Sequence, residues 1–417
     1  MSKNSLSLAV VAATLGLSLS QVVHAEFIKD SKASLEARNF YFNRDFRQEG
    51  ASQSRREEWA QGFILRMDSG YTEGTVGFGI DTIGMLGFKL NSGGGTAGSE
   101  LLVPDRSGGS QDYSSDLAVA GKAKVSKSTL RVGSMQFKNM AIASSDGRLT
   151  PQVFKGGQLI SQEIDGLTLD GGYLREVNYR NSGDFEDLAM TAGGKRGIAI
   201  TKSNLTDSFQ FLGGNYLVTK DLTAGYYYSN LEYLYKQNSF NVVHVLQLGE
   251  GQSMKTDLRY ARSTDDGLSN IDNKAYGAML TYGLAGHSVG LAYQKMSGAT
   301  GAAYVNGTDP FLVNYVQISD FANKDETSWQ ARYDFNFASI GIPGLTFMTR
   351  YLTGDNVDLG SVGTGKEWER DTELMYVVQQ GALKNLGVRW RNAMVRSNFA
   401  NDIDENRLIL SYTLPLF

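Results

Sequence analysis

Seven arginines recur within short runs in which apolar and polar residues alternate. Arg389 and Arg391 flank Trp390, for example, so the two guanidinium groups share one face and the indole lies on the other. A guanidinium stays charged and presents a planar set of donors that matches a carboxylate. A row of such groups therefore predicts several weak carboxylate contacts in series. The members of this arginine row are Arg38, Arg131, Arg259, Arg332, Arg350, Arg389 and Arg391.

The row also has a structural interpretation, in which each arginine pairs with an acid and only holds a wall together. Acids suited to that role are Glu36, Asp257 and Asp334. Residues two apart in a strand share a face, so such pairs fit the same alternation. Both interpretations stay open at the level of sequence.

Strands must position these arginines, and one hairpin shows the pattern most clearly. In Trp329–Phe337 every odd position is apolar or aromatic and every even position is polar or charged. After a turn containing Pro343, the run Leu345–Tyr351 repeats the alternation. Each strand thus has one apolar and one polar face. The apolar face would line a core in a soluble sandwich and would face lipid in a membrane barrel.

Runs of this kind continue along the whole chain, and most are close to the ten residues that span a bilayer when tilted. Short turns alternate with long loops, as in bacterial outer membrane barrels. A lipid-facing arginine at mid-bilayer would cost about 2–4 kcal/mol, so the arginine row is expected to face inward. The sequence therefore predicts an all-β fold, a transmembrane antiparallel β-barrel of about eighteen strands. The predicted strands are Leu35–Arg44, Trp59–Ser69, Thr75–Leu90, Leu117–Val125, Thr129–Met135, Gln158–Ile164, Gly166–Val177, Ser208–Val218, Leu222–Ser229, Phe240–Gln247, Lys255–Ala261, Lys274–Tyr282, Ser288–Met296, Trp329–Phe337, Leu345–Tyr351, Thr372–Gln380, Asn385–Val395 and Leu408–Phe417.

The two ends of the chain indicate export. A basic start, the apolar run Leu6–Leu17 and the small residue Ala25 predict a signal peptide over 1–25, which leaves 26–417 as the barrel domain. Phe417 closes an alternating run and resembles the signal read by the barrel-assembly machinery. We therefore expect the outer membrane of a Gram-negative bacterium, with its lipid and lipopolysaccharide as neighbours.

Composition argues against catalysis and several kinds of partner. Without cysteine there is no disulfide framework, thiolate metal site or cysteine nucleophile. After the signal peptide only His244 and His287 remain, neither with metal-ligand spacing, so we expect no metal, no cofactor and no enzyme. The net charge of −4 does not suggest nucleic-acid binding.

An ordered set of motifs resembles the outer membrane porin D (OprD, or Occ) family of substrate-specific channels. The set spans essentially all of the mature chain, which makes it far more specific than any one motif. Its members are Val76–Asp81, Leu86–Leu90, Ser145–Leu149, Pro151–Gln152, Ser161–Leu167, Tyr226–Tyr228, Asp257–Tyr260, Pro343–Tyr351, Gly354–Asn356, Glu367–Arg370 and Val388–Asn392.

The resemblance implies a barrel whose third and seventh outer loops fold inward to form a constriction. Here those loops would be Gln136–Gln158 and Ser297–Asp325. Constriction candidates are Arg148, Lys155, Tyr304, Asp309 and Tyr315. Two alternatives remain: Arg148 would form a salt bridge from loop to wall, and the seventh loop would be packed by its own aromatics.

The resemblance further implies passive uptake of small carboxylate-bearing molecules, aromatic or aliphatic carboxylates or amino acids, guided by luminal arginines. An acid in the seventh loop would then hold the amino group of a zwitterion. The family also implies a monomer or weak trimer. The alternative function is a barrel with a closed lumen that acts as a surface adhesin or receptor.

Overall fold

The computed structural model describes residues 27, 29–48 and 51–417, so the signal peptide predicted over 1–25 lies outside the described residues. Twenty strands and two short 3-10 helices, Phe337–Ile340 and Gly360–Val362, occur in this part of the chain. The strands are β1 Lys32–Phe46, β2 Arg55–Asp68, β3 Gly77–Ser92, β4 Tyr113–Val125, β5 Ser128–Met135, β6 Val153–Ser161, β7 Leu167–Asn178, β8 Glu186–Ala189, β9 Leu205–Thr206, β10 Phe209–Thr219, β11 Leu222–Leu231, β12 Tyr235–Gly249, β13 Gln252–Asp265, β14 Asp272–Leu284, β15 His287–Gly298, β16 Thr327–Asn336, β17 Leu345–Asp358, β18 Thr364–Val377, β19 Gly387–Ser397 and β20 Ile403–Pro415.

Eighteen of these strands form a closed antiparallel barrel, while β8 and β9 lie inside a loop. Closure comes from β1, which pairs with β2 on one side and with β20 on the other, from Ser34 opposite Pro415 to Phe46 opposite Ile403. Every wall strand is thus paired on both edges, as a hydrocarbon environment requires. The predicted eighteen-stranded barrel is confirmed.

Burial alternates along the wall strands in the sense that the sequence predicts. In β2, Trp59 and Leu65 are exposed on the outer face, whereas Ile64 is fully buried on the inner face. Exposed large apolar residues recur on nearly every strand, including Phe78 and Leu291. A water-soluble monomer would not expose a contiguous apolar band of this extent, so the band faces lipid. None of the described helices is long and apolar enough to cross a bilayer.

Long connections gather at one end of the barrel. There they include L2 (93–112), L3 (136–152), L4 (179–208) and L7 (299–326), whereas two-residue turns at 126–127, 220–221, 250–251 and 285–286 lie at the other end. Outer membrane barrels carry long loops outside and short turns in the periplasm, which orients the molecule.

Several predicted boundaries are wrong. The third loop ends at Gln152 rather than Gln158, because β6 already begins at Val153. The predicted strands Leu345–Tyr351 and Thr372–Gln380 leave out much of the wall, since β17 runs to Asp358 and β18 starts at Thr364. Strands extend beyond the alternating runs because their rims stand above the membrane, where both faces are polar.

L3 folds into the barrel and packs against the wall. Leu149 is buried with Phe40 and Phe42 of β1. Glycines create the recess: a Cβ atom at Gly62 would lie 3.0 Å from Cγ of Leu149, and one at Gly87 would lie 3.1 Å from its Cδ2. These wall positions therefore lack side chains where the loop approaches the backbone.

Candidate functional site

Ion pairs fix the tip of L3 to the wall. Nη1 of Arg38 donates to Oδ1 of Asp146 at 2.8 Å and to the carbonyl of Arg148 at 2.7 Å. Arg66 reaches the same Asp146 carboxylate at 3.4 Å. Two arginines from β1 and β2 thus hold the loop by its only acidic side chain and by its backbone.

Carboxylates of the wall hold L7. Glu369 of β18 accepts the backbone N–H of Ser319 at 2.7 Å, and Asp371 accepts that of Gln317 at 3.3 Å. The side chain of Gln317 donates to Glu405 of β20 at 3.0 Å. Buried carboxylates that accept several donors are strongly constrained, so this segment of L7 has a defined position on the wall.

L3 and L7 meet inside the barrel. The N–H of Asp309 donates to the carbonyl of Ala143 at 3.0 Å, and Gln152 donates to the carbonyl of Asn306 at 3.2 Å. A cavity of about 530 Å³ remains between the two loops and the wall. The loops therefore narrow the lumen without filling it.

Basic side chains dominate the polar lining of this constriction cavity. They are Lys138, Arg148, Arg180, Arg391 and Arg407, and they face Asp309 and Tyr315 of L7. A neighbouring cavity of about 250 Å³ is lined by Arg38, Arg148, Arg389 and Arg391, and another of about 380 Å³ by Arg332, Arg350 and Arg391. Arg391 lines all three, so the cavities follow one arginine-bearing strip of wall.

A known protein family matches this chain over nearly its whole length. The model of the OprD family of outer membrane porins matches residues 25–416. The chain belongs to the OprD family.

Two curated relatives of this porin come from Pseudomonas. The chain is 39% identical to the porin-like protein GalP of Pseudomonas putida over 97% of this chain and 96% of that protein. It is 36% identical to porin D of Pseudomonas aeruginosa over 94% of this chain and 92% of that protein. Both matches span nearly the full length of this chain and of each relative.

Solved porins share the fold. Crystal structures of Pseudomonas aeruginosa OpdQ and OccK9 (OpdG) are 58% and 43% identical, with TM-scores of 0.88 and 0.89; each comparison covers 94% of this chain and 100% of the other. A BenF-like porin from Pseudomonas fluorescens is 38% identical, with a TM-score of 0.89 over the same shares. The protein is thus a substrate-specific porin of the Gram-negative outer membrane, and not an enzyme.

All seven members of the porin's arginine row lie on lumen-facing positions, and each also contacts a carboxylate. The pairs are Arg38 with Glu36 and Asp146, Arg131 with Asp81, Arg259 with Asp257, Arg332 with Asp334, Arg350 with Asp371, and both Arg389 and Arg391 with Glu373. The acids of the structural interpretation are therefore present. In Arg131, Arg389 and Arg391 the contact is made by Nε, at 3.4, 3.3 and 3.1 Å from the carboxylate oxygen, but without the geometry of a hydrogen bond. These three arginines are therefore paired by charge, without a well-aligned hydrogen bond from Nε to the acid.

Arg148 differs from the row because it forms no ion pair with any carboxylate in the described part of the chain. Its guanidinium donates to the carbonyl oxygens of Ser99 and Gly147 at 2.9 and 3.0 Å and lies 5.3 Å from the centroid of the Phe42 ring. The predicted alternative, a salt bridge from loop to wall, is therefore wrong. Burial, and next the charges of Arg407 and Arg180, lower the pKa of Arg148 well below its ordinary value. An arginine retains its proton, so an anion in the cavity would stabilise the buried charge of Arg148.

Two of the predicted constriction residues lie elsewhere. Lys155 belongs to β6, on the face opposite the buried Phe154, and its ammonium pairs with Glu176 at 2.8 Å. Tyr304 belongs to L7, but its hydroxyl donates to Asp320 at 2.5 Å. Neither side chain lines the constriction cavity, whereas the predicted Asp309 and Tyr315 do.

Three arginines in or beside the constriction cavity escaped the sequence analysis: Arg180 and Arg407 line it, and Arg44 shares Glu405 with Arg407. Arg44 and Arg407 both pair with the buried Glu405, and both guanidinium groups lie 5.5 Å from the centroid of Phe42. Arg44 shares the face of Arg38 and was available from the alternation. Arg180 lies in L4, where no periodicity marks which way a side chain points.

Tyr304 takes part in a buried anchor between L4 and L7. Arg196 of L4 donates to the Asp320 carboxylate and, at 2.7 Å, to the carbonyl of Ala302. Burial alone would raise the pKa of Asp320, but the charge of Arg196 and the hydrogen bond from Tyr304 more than offset it. The pKa of Asp320 is therefore below its ordinary value, and the anchor is ionic at neutral pH.

This anchor predicts an acid limit for the docked state of L7. Because folding depresses the pKa of Asp320, its contribution is complete above about pH 4 and is lost as pH falls through the depressed value. We expect single-channel current to be quiet from pH 7 to pH 5 and to fluctuate as pH approaches 3. Asp320→Asn lacks this titration, so its current should show no such acid transition. A wild-type trace that remains quiet at pH 3 would contradict the assignment.

Proposed function

We propose that this porin takes up small carboxylate-bearing molecules by passive diffusion along its arginine-lined wall. The observation that carries the proposal is the convergence of Arg148, Arg391 and Arg407 on one cavity between L3 and L7. Arg148 forms no ion pair among the described residues, and the Nε–H of Arg391 lies 3.1 Å from Glu373 without hydrogen-bond geometry, so an entering carboxylate meets guanidinium groups that its own charge stabilises.

Partial pairing suits transport. A guanidinium already held by Glu373 attracts a second carboxylate less strongly than an isolated one does, so binding at each step stays weak enough for release. Arg389 and Arg391 lie two residues apart on β19, about 7 Å at the rise of a strand. A carboxylate can thus move from one guanidinium group to the next while it keeps part of its water shell.

Asp309 and Tyr315 bound the same cavity on the side of L7, with the tyrosine hydroxyl donating to the carboxylate at 3.1 Å. Burial, and next Asp309, raise the pKa of Tyr315, so the hydroxyl remains a donor at neutral pH. An ammonium group would find its counter-charge at Asp309. We favour aromatic and aliphatic carboxylates because five cationic side chains line this cavity against two acids, Asp146 and Asp309.

Liposome swelling tests the proposal with benzoate, a short aliphatic carboxylate, arginine and a neutral sugar of similar size. We expect both carboxylates to enter faster than the sugar, because only they gain from the guanidinium groups. Faster entry of arginine than of benzoate would mean that Asp309 determines selectivity more strongly than the arginine row does. Equal rates for all four solutes would contradict selectivity and leave the arginines as wall salt bridges.

A further inference from the structure

A second basic cluster lies on the outside of the barrel, close to its loop end. Arg262 of β13 is directly opposite Lys274 of β14, and Lys295 of β15 is opposite Tyr276, two residues farther along β14. Lys274 and Lys295 are therefore diagonal neighbours. All three cations alternate with lumen-facing residues such as Ala261, so they point toward the membrane side of the wall.

The charges of this cluster are only partly balanced. Arg262 pairs with Asp272 of the same face. Lys274 and Lys295 are exposed, and neither pairs with a carboxylate among the residues that the structure describes. Like charges directly opposite one another on paired strands destabilise a sheet. An anion at this point would remove that repulsion and form charge-assisted hydrogen bonds.

An aromatic row lies one side-chain step below the cluster, toward the periplasmic end. Tyr226, Phe240, Tyr260 and Tyr276 follow one another on β11 to β14, with ring centroids 4.9, 6.1 and 5.1 Å apart. Aromatic girdles of this kind mark the boundary between hydrocarbon and headgroups. The cations therefore lie at headgroup height in the outer leaflet.

Below the aromatic row the wall is aliphatic. Leu258, Leu280 and Leu291 are exposed on the same outward face. From loop end to mid-membrane the surface thus runs from cation to aromatic ring to aliphatic side chain. This order of polarity matches an amphiphilic lipid that has phosphate groups at one end and acyl chains at the other, and that lies along the strands.

We propose that Arg262, Lys274 and Lys295 bind the phosphates of lipopolysaccharide, the phosphorylated glycolipid of the outer leaflet, with its acyl chains along the aromatic row. The site is separate from the pore, because its side chains face away from the lumen. Loss of lipid binding would therefore leave channel conductance unchanged.

Native mass spectrometry of the detergent-purified porin tests this site with diphosphoryl lipid A, fully dephosphorylated lipid A and phosphatidylglycerol. We expect Lys274→Gln/Lys295→Gln to bind diphosphoryl lipid A at least tenfold more weakly than wild type. The charge-preserving Lys274→Arg/Lys295→Arg should retain binding. A matched control is Lys220→Gln/Lys384→Gln, which removes two exposed lysines from periplasmic turns and should leave binding unchanged.

Single-channel conductance of each variant reports whether the barrel is intact. The site is contradicted if the glutamine variant keeps wild-type affinity for diphosphoryl lipid A. It is equally contradicted if dephosphorylated lipid A or phosphatidylglycerol binds wild type as tightly, since the surface would then recognise acyl chains or any anionic lipid.

Discussion

Replacing Arg389 and Arg391 together by alanine is expected to slow benzoate uptake about tenfold or more, while uptake of a neutral sugar changes little. A hydrogen bond to a charged group contributes about 1.5–3 kcal/mol, and about 1.4 kcal/mol corresponds to a factor of ten. Arg391 lines all three cavities along the wall, so no other single position affects so much of the path. Liposome swelling of wild type and variant measures the ratio.

The double variant also leaves Glu373 without its two partners, and an unpaired carboxylate would repel an anionic solute. Adding Glu373→Gln separates the two effects. Capture by guanidinium groups predicts that the triple variant stays slow, whereas relief of repulsion alone predicts that it recovers. Arg370→Ala is a matched control, because Arg370 lies in neighbouring β18 but is exposed on the outward face. Unchanged benzoate uptake in the double variant would remove these arginines from the pathway.

Arg196→Ala is expected to raise single-channel conductance and to reduce discrimination between benzoate and sugar. The substitution leaves the buried Asp320 without its cation, and breaking one partner of a buried ion pair costs about 3–5 kcal/mol. It also removes the donor to the carbonyl of Ala302. We expect L7 to leave its docked position, which widens the lumen because L7 forms one side of the constriction cavity.

A double variant distinguishes this mechanism from a general loss of stability. Arg196→Ala/Asp320→Asn removes the unpaired charge while keeping a polar side chain of the same shape. We expect its current to be closer to wild type than that of Arg196→Ala. If Arg196→Ala conducts and discriminates as wild type does, the anchor does not control L7.

The barrel was predictable because period two repeats on every wall strand, and the same parity correctly placed all seven arginines of the row on the lumen side. Boundaries were harder, and they had consequences for the site. The final strand begins at Ile403, but the prediction began it at Leu408 because only from there are the outward residues consistently apolar. Arg407 therefore fell one residue outside the prediction.

Loop side chains follow no period, and the sequence could not rank them. Arg148 was named from a motif, but its lack of an ion pair depends on which carbonyl oxygens and which ring surround it. Tyr304 and Asp309 lie five residues apart in L7, yet one closes a buried anchor and the other lines the constriction. Three-dimensional contacts between loops decide these roles, and only the folded chain brings those contacts together.

The most direct test of carboxylate uptake is anomalous diffraction from crystals of the porin soaked with 4-bromobenzoate. We expect a bromine peak inside the lumen, with the carboxylate in hydrogen-bonding distance of Arg391, Arg407 or Arg148, and the same peak absent from Arg389→Ala/Arg391→Ala crystals. A bromine peak confined to the outer wall, or one in the lumen that persists in the variant, would contradict the proposal that these arginines guide the substrate.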